Sequence, residues 1–230
     1  MSDPLPPLAE LRRAAEVFNG FANVDASWLR LVEETQSAID LSQPAHRTIL
    51  LRWLNSWGCR IRYPREGEPA PFDDGVLAWW ETWSATLPTA DLADLTDEGI
   101  DTAAKAYADL AGVAVSVGRA RRTLGPTAAA KALYALRPNT IMPWDAAIAA
   151  ALHGARDGAA FGRHLRLGRA WAAAVIAEAG DGGAEIPALM GRPVSLAKIL
   201  DEYLYVVFTM GAKGDWGTDS GEWWKYGNRG

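Results

Sequence analysis

The chain has 230 residues, 49% of them apolar, a formal net charge of −5 and one cysteine. That length and apolar share suffice for a sizeable core without help from disulfides or metal. The single Cys59 excludes an internal disulfide framework, a cysteine-ligated zinc site and a four-cysteine iron–sulfur cluster, and the acidic balance argues against a surface made for nucleic acid as a whole.

The first residues, Met-Ser-Asp-Pro-Leu-Pro-Pro, lack the basic-then-apolar order of a signal peptide. Helical spacing then recurs along almost the whole chain. Residues 8–21 follow Pro6 and Pro7, residues 27–39 open on Ser27 as a capping residue, and residues 45–58 put Leu50, Trp53, Leu54 and Trp57 on one stripe. Residues 62–74, with Pro64, Pro69 and Pro71 among charges, read as a surface loop. A helix over 75–87 aligns Val76, Trp79, Trp80 and Trp83 in a stripe that burial in a core or between lobes would require. Another is predicted over 96–110. The β-branched stretch 112–117 could form a strand but reads better as a link between helices.

Helices are predicted again over 126–136, 146–153, 159–179 and 195–210. The last places Leu196, Ile199, Leu200, Tyr203 and Val207 on one face, widened by Leu204 and Phe208, as in a central, mostly buried helix. The adjacent acids Asp97-Glu98 and Asp201-Glu202 point to different helix sides and read as ordinary helix surface. The longest apolar run, 203–210, is far short of the roughly 20 residues that span a bilayer. The expectation is an all-α protein: a compact multi-helix bundle over residues 1–210, in one domain or as two lobes around a cleft, followed by a tail over 211–230. The expected location is the cytoplasm. The tail is rich in glycine yet carries Trp216, Trp223 and Trp224, which must dock or bind something.

Charge is distributed unevenly. Between Gly112 and Arg169 stand the nine basic residues Arg119, Arg121, Arg122, Lys131, Arg137, Arg156, Arg163, Arg166 and Arg169, against only Asp145 and Asp157. This basic island is either solvated helix surface or an anion-binding face. It coincides with the most informative motif.

In Leu124-Gly125-Pro126-Thr127-Ala128-Ala129 a glycine stands at a tight turn, a proline at the first helical position, and small residues where a neighbouring helix can approach. Amides at such a helix start suit a phosphate oxygen, with Arg119, Arg121 and Arg122 just upstream. Further on, Arg137-Pro138-Asn139 breaks the helix and Met142-Pro143-Trp144 leads to Asp145 at the start of the next. Asp145 shares a face with Ile148 and Leu152, which directs its carboxylate toward the packed or cleft side. It also has the sequence of an ordinary N-cap, and Lys131 between alanines that of a solvated helix residue.

These residues resemble the helix-hairpin-helix superfamily of DNA glycosylases, over about thirty residues. Leu124 to Ala129 is similar to the second half of the phosphate-gripping hairpin, and Pro143-Trp144-Asp145 to the segment that carries the catalytic aspartate. The resemblance implies DNA binding through Gly125, Thr127, Arg119, Arg121, Arg122 and Lys131. It implies Asp145 as the catalytic group that stabilises a cationic sugar or orients water, and aromatic stacking of a flipped base, for which Trp144 and Tyr134 are candidates. Thr123 stands where the family has its first hairpin glycine, Ala146-Ala147 where a Thr-His pair is frequent, and Thr127 where bifunctional members carry a Schiff-base lysine. A lyase step through that position is thereby excluded, leaving a monofunctional hydrolase or a catalytically inactive relative. No cofactor and no metal is expected, since His46, His153 and His164 are scattered. Two other readings stand beside this one: a helical interaction module or homo-oligomer that uses the tryptophan-rich tail, and an enzyme acting on a small molecule in a tryptophan-lined cleft.

Overall fold

In the computed structural model, described over residues 6–20, 24–117, 121–180, 186 and 194–211, apolar spacing near 3.6 residues becomes nine α-helices. They are α1 (Leu8–Asn19), α2 (Val24–Glu34), α3 (Pro44–Ser56), α4 (Pro71–Trp83), α5 (Asp97–Gly112), α6 (Pro126–Leu136), α7 (Ala146–His153), α8 (Gly158–Ala179) and α9 (Leu196–Leu204). Among the described residues the protein is all-helical; the stretch read as a possible strand makes only a single antiparallel bridge, Ala114 to Thr123, between α5 and α6. No helix of the described residues is long and apolar enough to cross a membrane.

Four boundaries in particular differ from expectation. α2 begins before Ser27, so that serine is not a cap; its Oγ instead accepts from the Trp57 indole at 3.0 Å. The helix stops at Glu34 because Gln36 and Ser37 adopt positive φ of 50° and 63°. α4 starts at Pro71 rather than residue 75, since proline fits the first turn, where its missing N–H costs nothing. The long C-terminal helix is α-helical only to Leu204 and continues as a π-helix over Tyr205–Met210, a form that concentrates at functional sites.

One cluster of buried residues runs from α1 to the π-helix. The expected tryptophan stripe is interior packing: Trp79 is buried and donates to the Ala106 carbonyl of α5 at 2.8 Å, and Trp83 donates to Asp109 at 3.1 Å. At the centre the rings of Tyr107 and Phe161 stack 4.1 Å apart, with Trp144 edge-on to both. That cluster joins α5, α8 and the segment leading into α7.

α8 lies close on α5 because it presents Gly158 and Gly162 to Ala104 and Ala108. A Cβ at Gly158 would sit 2.9 Å from the Ala104 carbonyl oxygen, which cannot move without shifting α5. At Gly162 the nearest atoms are the flexible end of Arg166 at 3.3 Å and the Ala104 methyl at 3.5 Å. Gly158→Ala is therefore expected to lose on the order of 1–3 kcal/mol through overpacking, whereas Gly162→Ala should change stability by no more than about 1 kcal/mol, because alanine's helix propensity offsets the contact. Denaturant midpoints that moved equally in the two variants would contradict this packing.

Candidate functional site

The turn before α6 is built on Gly125, whose φ of 81° and ψ of 165° lie in a region open essentially to glycine. Its own N–H is used inside the protein, donating to the Ala111 carbonyl at 3.0 Å, and Pro126 has none. The donors at this helix start are thus the amides of Thr127 and Ala128, which no side chain caps. Arg121 and Arg122 stand exposed just before the turn, and neither pairs with a carboxylate of the described residues. The Arg122 backbone is tied down, accepting from the Val115 amide at 2.9 Å and donating to Ser116 Oγ at 2.7 Å. Arg119 lies outside the described residues.

Asp145 is the N-cap of α7. Its Oδ1 accepts from the amides of Ala147 and Ile148 at 2.8 and 2.9 Å, and its Oδ2 accepts from the Thr209 hydroxyl of the π-helix at 2.7 Å. The carboxylate is half-buried and also lines a cavity of about 550 Å³. Capping and cavity lining thus fall to one side chain. The cavity lies where the ends of α1 and α3 meet α6, α9 and the start of α7. Phe18, Trp57 and Tyr205 supply aromatic walls, Ser27 and Ser56 hydroxyls, and Lys131, Lys198 and Asp201 charge. Its size falls in the range of small-molecule pockets.

Lys131 is the main departure from the sequence reading. It is one turn beyond Thr127, but its side chain runs inward, and Nζ donates to the Trp57 carbonyl at 2.8 Å. Burial pushes its pKa below the ordinary lysine value, while Cys59, Asp201 and Asp145 pull it back up. It is therefore a cavity residue and not a solvated one, with its ammonium engaged at the end of α3. Lys198 is more enclosed: Nζ lies 2.8 Å from Asp201 Oδ2 and 3.7 Å from Glu202 Oε1, over the faces of Phe18 at 4.5 Å and Trp57 at 4.9 Å. Asp201 and Glu202, expected on the helix surface, are 7% and 0% exposed. Burial raises the Asp201 pKa, partly opposed by Lys198.

The stacking candidates change too. Trp144 is 1% exposed, packed between Tyr107, Phe161 and the two histidines, and Tyr134 is 3% exposed against Trp28 and Trp53. Neither offers a free face. The half-buried Trp57 and Tyr205, with Phe18, border the cavity instead, the Trp57 ring lying 4.7 Å from that of Trp53 and under the ammonium groups of Lys131 and Lys198. Trp57 was legible as part of a core stripe, but nothing in the sequence marked it as the stripe's cavity end.

The basic island partly dissolves in three dimensions. Arg166 pairs with Asp101 at 2.7 Å and Arg169 with Asp97 at 2.9 Å, both acids belonging to α5, and Arg137 turns back to the Leu136 carbonyl. Exposed and without an ion pair to the described residues are Arg121, Arg122, Arg156 and Arg163.

Behind Trp144, His164 is wholly buried. Its Nε2 must donate to the Pro143 carbonyl at 3.2 Å, so its Nδ1 accepts from His153 Nε2 at 3.1 Å. Burial and the neighbouring His153 push the His164 pKa down to about 3. No protein-family model matches the chain, and no curated protein or solved structure does either.

Between pH 6.5 and 3 the unfolded chain binds a proton at His164 that the folded one refuses, so stability falls as pH falls through that window. His164→Asn is expected to lose less stability than the parent between pH 6.5 and 4, and parallel curves would contradict the assignment. Asp145→Ala should cost about 1–2 kcal/mol through the lost cap. Asp145→Asn keeps an acceptor oxygen and should cost clearly less, as read from thermal melts of the two variants.

Proposed function

We propose that this chain binds double-stranded DNA in the manner of base-excision glycosylases, as a monofunctional hydrolase of N-glycosidic bonds or as a relative that has kept only recognition. The observation that carries the proposal is the placement of Asp145, anchored by two amides and a hydroxyl, in the wall of an aromatic cavity. Anchoring of this kind preorganises a carboxylate, so that it can stabilise positive charge without rearranging. As the bond between sugar and base breaks, its electron pair leaves with the base and the sugar becomes cationic. Asp145 opposes that charge and orients the water whose oxygen bonds to the sugar carbon, and the proton that water gives up neutralises the departed base. The base, turned out of the duplex, enters the cavity that Trp57 and Tyr205 border.

The uncapped α6 start supplies the phosphate grip, through the Thr127 and Ala128 amides and the exposed Arg121 and Arg122. Thr127 offers no amine, so no lyase step passes through it. The interaction-module reading rests on tail residues that lie outside the described ones, and no described surface favours it.

Equilibrium binding to short duplexes, intact and with an abasic-site analogue, tests the proposal across a range of salt. Binding should favour the analogue, weaken steeply with salt, and lose about one unit of log–log salt slope in each of Arg121→Ala and Arg122→Ala. With Asp145→Asn, binding should persist and any base release should stop. Absence of binding at low salt would overturn the proposal.

A further inference from the structure

The groups lining the cavity differ in how much hydrogen-bonding capacity the protein leaves them. Asp145 already accepts three bonds, two from amides and one from Thr209. The Lys198 ammonium is held by Asp201 and Glu202 and covered by two aromatic faces. Lys131 is different. An ammonium has three N–H donors, and at Lys131 one goes to the Trp57 carbonyl, while no carboxylate of the described residues lies within ion-pair distance. The rest of its donor capacity faces the cavity it lines, beside Trp57, whose ring centroid is 5.3 Å from Nζ. The cavity therefore sets a cation with unfilled donor capacity among aromatic side chains, Trp57 and Tyr205.

We propose that Lys131 reads the ligand: the cavity takes a planar heterocycle that presents a carbonyl edge, which accepts from Lys131 Nζ, and disfavours a cationic ring. The inference rests on the cavity being the base pocket of the proposed function and names the class of base. A carbonyl oxygen supplies the acceptor that the desolvated ammonium lacks, and a charge-assisted bond of this kind is among the stronger ones available. At that edge a cationic ring meets the like charge of Lys131, while the two carboxylates that also line the cavity are already engaged, Asp145 by three donors and Asp201 by Lys198. A ring presenting an amino group at the same edge sets donor against donor.

Free nucleosides separate this inference from DNA binding. Inosine carries a carbonyl edge, adenosine an amino edge, and 1-methyladenosine a cationic ring of similar size. Ligand-observed NMR titrations on the full chain should rank inosine first and 1-methyladenosine last. Lys131→Met should weaken inosine by about tenfold or more, the scale of a lost charged hydrogen bond, and narrow the gap to 1-methyladenosine. Lys131→Gln, which keeps a donor without charge, should fall between, and melting temperatures near the parent's show that both variants are folded. Equal inosine affinity in the parent and a folded Lys131→Met, no inosine binding by the parent, or a parent that prefers the cationic nucleoside would each overturn the inference. Inosine binding that depends on Lys131 in a chain that ignores duplex DNA would sustain the inference for the pocket and sink the proposed DNA function. Duplex binding with Lys131-independent nucleoside affinity would do the reverse.

Discussion

The structure around the cavity depends on keeping ionic groups satisfied inside a helix that is buried on nearly every side. Lys198, Asp201 and Glu202 lie three and four residues apart on α9, each under 10% exposed, between α1, α8 and the cavity. Removing these charges from water costs several kcal/mol each unless they neutralise one another. Lys198 answers Asp201 directly and Glu202 at longer range, one cation facing two carboxylates, and is further covered by Phe18 and Trp57. The same requirement fixes the aromatic walls: Trp57 and Phe18 stand where the ammonium needs them, which also makes them flat boundaries of the open space. The cavity is thus a consequence of how α9 holds its charges.

Asp145 links that arrangement to the rest of the fold. Its Oδ1 starts α7, and its Oδ2 holds the π-helix through Thr209. A π turn inserts one residue into the helical register, so side chains beyond Leu204 face directions that a continued α-helix would not give them. In this register Tyr205 borders the cavity and Thr209 meets Asp145, although the two partners are 64 residues apart in the chain. A cap that only began a helix would need one oxygen. The engagement of the second is what makes this carboxylate a fixed feature of the cavity wall.

Legibility in the sequence follows the range of the interactions involved. Helices with strong periodicity or, like α6, proline at the first turn are readable because those signals are local. So is the need for glycine at 125 and the capping role of Asp145. Ser27 misled because its hydroxyl serves Trp57 of another helix, and the residue-204 junction was hidden because nothing local in 195–210 interrupts an α-helical pattern. As adjacent residues pointing to different helix sides, Asp201 and Glu202 read as surface, yet Lys198 three and four residues earlier, on a helix whose periodicity reads as buried, is the available sign of an internal ion cluster. Net charge over a window failed for a related reason. Arg166 and Arg169 belong to the basic stretch by sequence, but their partners Asp97 and Asp101 lie on α5, outside it.

Lys131 shows why composition and position could not settle its role. Between two alanines on a short helix it has the sequence surroundings of a solvated residue, and a lysine stem is long enough to serve either side of such a helix. What decides its direction is a carbonyl on α3's C-terminal side: Trp57 ends that helix, so its oxygen lacks a full set of helical donors and accepts from Nζ. The helix end thus draws an amine into the cavity, and burial then lowers its pKa. A cation held by a single neutral acceptor in an apolar wall is left with unmet donor capacity. The same cavity also holds a carboxylate whose accepting positions are largely filled. In the proposed reaction a complementary ligand brings acceptors to Lys131 and asks little of Asp145 in the ground state, which leaves the aspartate for the charge that would develop later.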